Sequence, residues 1–134
     1  MNIQTFFILY AMSVPLFFLL DMVWLGLVAK NFYQAKLGHL LGPVQWSVAI
    51  LFYLLFLLGV TFFATYVGVQ AGSFKMAAMY GALFGFFTYL TYDLTNLATL
   101  KDWPVSVVYV DILWGTVLGA LVAGGVAALY LAYS

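Results

Sequence analysis

Four long apolar stretches dominate this chain of 134 residues, at 5–28, 46–67, 76–98 and 105–133. A bilayer core of about 30 Å requires about 20 apolar residues in an α-helix, and each stretch meets that length. The pattern predicts an all-α membrane protein in which four transmembrane helices form a bundle. Because the connections are short and no linker interrupts them, we expect a single domain over residues 1–134.

The composition excludes most soluble functions. Hydrophobic residues make up 67% of the chain and charged residues only 6%, whereas ordinary soluble domains contain about 25% charged residues. So few charges cannot solvate a globule of 14.9 kDa, which excludes a soluble enzyme. The formal net charge is zero and the four basic residues are all lysines, so we expect no nucleic-acid partner. The lipid bilayer is the expected environment.

The lysines are unevenly distributed over the connections. Lys30, Lys36 and Lys101 fall at one end of the predicted bundle, and Lys75 falls at the other end with the α-amino group. Loops rich in lysine stay in the cytoplasm. We therefore expect the first and third connections to lie in the cytoplasm and both termini to lie outside.

Two connections carry aromatic residues suited to a membrane interface. Residues 30–45 predict one interfacial turn or short helix, with Phe32, Tyr33 and Leu37 on its apolar side. Trp103 precedes Pro104 in the last connection and suits the aromatic belt at the interface.

Three aspartates lie inside the predicted spans: Asp21, Asp93 and Asp111. Asp21 lies about 10 Å below the end of its helix, at about 1.5 Å per residue, and the other two lie at comparable depths. Because the helices alternate in direction, all three belong to one layer on the lysine-rich side, here called the acidic layer. A charged aspartate costs up to about 3 kcal/mol at mid-bilayer. Such residues indicate a site for a proton, cation or polar solute, or else a purely structural, hydrogen-bonded role.

Aromatic and polar residues accompany the acidic layer. An Asp-x-x-Trp motif occurs twice, on helices of opposite direction, and this spacing puts carboxylate and indole on one helix face. The two copies are compatible with a trace of an inverted repeat. The third span ends in the densest polar run of the chain, residues 89–99. The expected ligand-binding residues are Asp21, Trp24, Tyr92, Asp93, Asn96, Asp111 and Trp114. No spacing predicts a metal site, and none identifies a catalytic residue or a cofactor.

Glycines recur every four residues in the third and fourth spans. These rows contain Gly81, Gly85, Gly115 and Gly119. Small residues at this spacing allow two helices to approach closely. The rows predict either that the two spans pack on each other or that two copies of the chain form a homodimer. In both cases Asp93 and Asp111, which continue the rows, face a packed interface rather than lipid.

The run Tyr-Asp-Leu-Thr-Asn-Leu-Ala-Thr that begins at residue 92 resembles a bacterial family of predicted membrane proteins, domain of unknown function 2177. Shorter similarities are Asp21-x-x-Trp24-x-Gly26, Lys30-x-x-Tyr33, Phe52-Tyr53 and Asp111-x-x-Trp114-Gly115. The resemblance covers nearly the whole chain and implies a four-helix inner-membrane protein, but no activity. Its motif positions are Asp21, Trp24, Tyr92, Asp93, Asn96, Trp103, Asp111 and Trp114.

Three functions fit these features. The leading hypothesis is a small membrane protein that binds or moves a small solute, cation or proton through the acidic layer. The first alternative is a lipid-modifying enzyme at the cytoplasmic interface, with one aspartate as general base. The second is a non-catalytic assembly subunit that hides the acidic layer against another protein. The expected partners are the bilayer, a second copy of the chain, and a small-molecule or lipid ligand.

Overall fold

The computed structural model describes residues 1–134 and contains only helices and their connections. In chain order, the elements are α1 (Ile3–Val23), a π-helical turn (Trp24–Val28), α2 (Lys30–Leu37), α3 (Trp46–Val60), a second π-helical turn (Thr61–Thr65), α4 (Tyr66–Gln70), α5 (Phe74–Thr99) and α6 (Val105–Tyr133). The helix expected within residues 30–45 is α2.

Three helical segments are long and apolar enough to cross a membrane: Ile3–Val28, Trp46–Gln70 and Val105–Tyr133. The all-α membrane architecture expected from the sequence is confirmed. The expected count of four equivalent apolar spans needs correction, because α5 is not among these segments. It has 26 residues, ample for a bilayer at about 1.5 Å per residue, but its polar second half makes it less apolar than the other three.

α5 and α6 lie antiparallel in very close contact through the predicted glycine rows. A Cβ atom added at Gly85 would overlap the carbonyl oxygen of Gly115, and one added at Gly119 would overlap that of Gly81. Backbones at this distance gain extensive van der Waals contact. The structure therefore uses all four glycines inside one chain. The expectation that these glycines form a homodimer contact is wrong, because α5 and α6 of the same chain already cover these surfaces.

The other helices pack around the α5–α6 pair. α1 contributes the fully buried Leu9 and Phe17 to the main core. Backbone contact between the second span and α5 is concentrated in Thr61–Gln70. α3 reaches α5 through side chains, such as the Phe56 ring at 5.6 Å from that of Phe84. An opening between α3 and α5 therefore remains beyond this contact.

A smaller core joins the two connections at one end of the bundle, here called the connection end. Leu37 of α2 packs with Trp103, Val107 and Val108 at the start of α6. The 29–45 and 100–104 connections thus lie on the same side, as their order in the chain predicts. Trp103 is only 8% exposed, because it packs against Leu37 of α2.

We expect Gly85→Ala to destabilise the protein by about 3 kcal/mol, near the upper end of overpacking costs, because the new methyl group meets backbone that cannot move aside. The free energy of unfolding in mixed micelles, measured by denaturant titration, tests this. Gly26→Ala is the matched control, since a Cβ atom there meets nothing within 4 Å. Equal stability of the two variants would show that α5 and α6 are not this close.

Candidate functional site

The three aspartates of the acidic layer come together near the connection end. Asp93 on α5 is fully buried and Asp21 on α1 is 5% exposed, whereas Asp111 on α6 is partly exposed. Asp111 lies within electrostatic reach of both other carboxyl groups. The glycine contact positions Asp93 and Asp111, because each residue continues a glycine row into the same interface. No group of three or more histidine, cysteine, aspartate or glutamate side chains is arranged to hold a metal ion.

The two Asp-x-x-Trp motifs pair with each other reciprocally. The indole N–H of Trp114 donates to Oδ1 of Asp21 at 3.3 Å. The indole N–H of Trp24 donates to the hydroxyl of Tyr33 at 3.3 Å, and this hydroxyl donates to Oδ1 of Asp111. Each tryptophan thus supports the aspartate of the other motif, directly in one case and through Tyr33 in the other.

The two indole rings also stack on each other. The ring centroids of Trp24 and Trp114 are 4.5 Å apart and their planes differ by 6°. The stack joins α6 to the π-helical turn that ends the first span, where the N–H of Ala29 donates to the carbonyl oxygen of Trp24 at 2.8 Å. Such turns often occur at functional sites. This turn leads directly into α2, which carries Tyr33 back towards Asp111.

Tyr33 is a site residue that the sequence analysis placed only on an apolar face. Burial, and then the hydrogen bond to Asp111, raise the pKa of Tyr33 well above its usual value. The hydroxyl therefore stays protonated and remains a donor at physiological pH. The motif Lys30-x-x-Tyr33 marked the position, but nothing in the sequence showed that α2 folds back over the acidic layer.

Asp93 differs from the other two aspartates because neither of its buried oxygens has a hydrogen-bond partner. The polar groups that act on it are the carboxyl of Asp111 and the indole of Trp103. The N–H of Trp103 is likewise buried without a partner. An isolated carboxylate in an apolar interior is strongly unfavourable. Asp93 is therefore stable when it carries a proton or when a cation lies between it and Asp111.

A cavity of about 320 Å³ lies beside this carboxyl pair, in the opening between α3 and α5. Its lining residues are Phe52, Thr88, Tyr89, Tyr92 and Asp111. The lining thus combines three aromatic rings with one carboxyl group and three hydroxyl groups, those of Thr88, Tyr89 and Tyr92. A wider groove of about 660 Å³ follows α5 away from the connection end, and Thr88 borders both spaces.

The expected ligand-binding residues divide into four groups. Asp93 is the buried carboxyl group whose oxygens have no hydrogen-bond partner. Asp21, Trp24, Trp114 and Asp111 belong to the reciprocal network. Tyr92 lines the cavity, and its ring meets that of Trp103 edge to face at 5.8 Å. Asn96 lies one turn further along α5, beside the hydroxyl of Tyr92.

Fold and site together define a helical membrane protein with a carboxyl pair close to one end of its bundle, in which Asp93 is buried and Asp111 is partly exposed. The model of the family described as "Predicted membrane protein (DUF2177)" matches residues 6–128, and the chain belongs to this family. The resemblance that begins at residue 92 is therefore confirmed. No curated protein and no solved structure matches the chain.

We expect Trp24→Phe and Trp114→Phe each to abolish an exciton couplet in the ultraviolet circular dichroism spectrum, because each removes one ring of the stack. Trp114→Phe should also lower the free energy of unfolding by about 1–3 kcal/mol, since it leaves Asp21 without its indole donor. Trp46→Phe is the control, because Trp46 is half-exposed at the start of α3. A couplet that survives both substitutions would contradict the stack.

Proposed function

We propose that this protein binds a proton or a small cation at the carboxyl pair of Asp93 and Asp111 and moves it towards the connection end. The observation that carries the proposal is Asp93, a fully buried carboxyl group without a hydrogen-bond partner that faces a second carboxyl group. Two adjacent negative charges repel strongly in a medium of low dielectric constant. A positive charge between them removes the repulsion, so the pair selects a cation or a proton.

The hydrogen bond between Tyr33 and Asp111 provides a route from the carboxyl pair to the edge of the bundle. Asp111 accepts from Tyr33, which belongs to α2 outside the three apolar segments. A phenol hydroxyl both donates and accepts, so Tyr33 is able to pass a proton. The indole N–H of Trp24 holds this hydroxyl in place. Because an indole only donates, it cannot relay a proton, and the proposed route does not continue through Trp24.

Asp21 has a different role in this proposal. Its carboxyl accepts from Trp114 and lies beside the hydroxyl of Tyr53. Because Asp21 already has partners, it supports the wall of the site and adds negative potential near Asp111. Asp93 and Asp111 then form the binding pair itself.

We expect wild-type protein in liposomes to acidify or alkalinise the lumen when a membrane potential is imposed, as measured with an enclosed pH-sensitive dye. Asp93→Asn should reduce the rate to that of empty liposomes, because the amide neither binds nor releases a proton. Asp102→Asn is the matched control: Asp102 is exposed in a turn with φ 61°, a conformation that asparagine tolerates. The same measurement with an alkali-cation gradient and a cation-sensitive dye tests cation movement.

Equal rates in wild type, Asp93→Asn and empty liposomes for both protons and cations would contradict the proposal. A change in membrane lipid composition that depends on Asp93 would instead favour the lipid-modifying enzyme. Stoichiometric co-purification of one membrane protein, without flux or lipid change, would favour the assembly subunit.

We also propose that the connection end faces the cytoplasm of an inner membrane. Lys30 and Lys36 belong to α2, and Lys101 lies in the α5–α6 connection that packs beside it. Lys75 is the one lysine at the opposite end. The lysine-rich end is the one that the positive-inside rule retains in the cytoplasm.

The chain has no cysteine, so single cysteines report this orientation directly. We expect a membrane-impermeant maleimide added to intact bacterial cells to label Ala71→Cys, in the exposed turn before α5. Gln34→Cys, exposed on α2, should react only after the cells are opened. The reverse pattern of labelling would overturn the orientation.

A further inference from the structure

We infer that the cavity beside Asp111 binds an organic ammonium ion with an apolar chain, which enters from the lipid phase between α3 and α5. The inference rests on the proposed function, because it uses the same carboxyl pair as its source of negative charge. It adds the class of ligand and the route of entry.

The lining of the cavity matches an organic cation. Phe52, Tyr89 and Tyr92 surround the carboxyl group of Asp111. Aromatic faces attract ammonium groups by cation–π interaction, most strongly where water is excluded. No lysine is among the lining residues, so an anionic headgroup would find no partner there.

The carboxyl pair supplies more negative charge than the network around it neutralises. Tyr33 bonds one oxygen of Asp111 as a neutral donor, and neither oxygen of Asp93 has a hydrogen-bond partner. A volume of about 320 Å³ falls at the small end of ligand sites. It accommodates a compact headgroup but not a long chain.

The adjoining groove is suited to the apolar chain. It has a volume of about 660 Å³ and is lined mainly by apolar and aromatic side chains, including Phe63, Leu83 and Phe84. Because Thr88 borders both spaces, a ligand with its head at Asp111 would extend its chain along α5 away from the connection end. That direction leads from one surface of the membrane towards its centre, which is how an amphiphile lies in a leaflet.

The opening between α3 and α5 gives such a ligand lateral access. The second span contacts the α5 backbone through Thr61–Gln70. Between this contact and the connection end, helix packing does not close the space between α3 and α5. Phe52 and Tyr92 flank the opening and are 49% and 55% exposed. These rings lie at the mouth of the cavity, where an ammonium group passes from lipid to the carboxyl pair.

Native mass spectrometry of the full chain in maltoside micelles tests the inference with two probes at pH 8. Decyltrimethylammonium carries the charge, and decyldimethylamine N-oxide has the same chain without net charge. We expect wild type to retain one charged probe per chain and no neutral probe. Phe52→Leu should weaken retention about tenfold, as expected for a desolvated cation–π contact of about 1–2 kcal/mol. Phe7→Leu, an equally exposed phenylalanine on α1, should have no effect.

A second arm identifies the source of the ammonium group. Phosphatidylethanolamine and phosphatidylglycerol with identical acyl chains are offered to the same preparations. Selective, Phe52-dependent retention of phosphatidylethanolamine assigns the site to a lipid headgroup, whereas retention of decyltrimethylammonium alone assigns it to a free amphiphile. Both results support the ammonium site.

Equal retention of the charged and neutral probes, equal loss in Phe52→Leu and Phe7→Leu, or no adduct in either arm would overturn the inference. The outcome is separable from that of the proposed function. Flux that depends on Asp93 without ammonium binding leaves the proposed function intact and removes the inference. Ammonium binding that depends on Phe52, without any flux, supports the ammonium site and contradicts the proposed movement of protons or cations.

Discussion

The close contact of α5 with α6 is the constraint on which the site depends. The facing glycines allow backbone to touch backbone, and any side chain at Gly81 or Gly85 would push the helices apart. The same rows continue into Asp93 and Asp111, so the helix contact decides that these two carboxyl groups meet. Helix packing and site geometry therefore have one cause. The first and second spans pack around the α5–α6 pair without an equally close backbone contact.

The cost of burying polar groups in an apolar medium explains the rest of the acidic layer. Asp21 and Asp111 each find a donor, through Trp114 and Tyr33 respectively. The indole stack joins these donors and links the first span to α6. Asp93 is the exception, because neither of its buried oxygens has a hydrogen-bond partner.

Much of the site was predictable because depth and helical phase are properties of sequence. Counting residues from the helix ends put Asp21, Asp93 and Asp111 in one layer, and the structure brings them together. The two Asp-x-x-Trp motifs were recognisable as a pair, but their reciprocal contact was not. Tyr33 was missed as a donor because α2 lies outside the spans and its fold-back leaves no periodic pattern. The burial of Trp103 against Leu37 of α2 was likewise not visible in the sequence.

The sequence alone determined the environment, the helices and the depth of each aspartate, because hydropathy, helical rise and the energetic penalty of intramembrane charge all act locally along the chain. It left open whether the glycine rows served one chain or two, since the same small residues suit either contact. Only the tertiary structure decided which side chains touch. Which aspartate receives a donor depends on the relative rotation and separation of helices distant in sequence, and the packing of the whole bundle sets both.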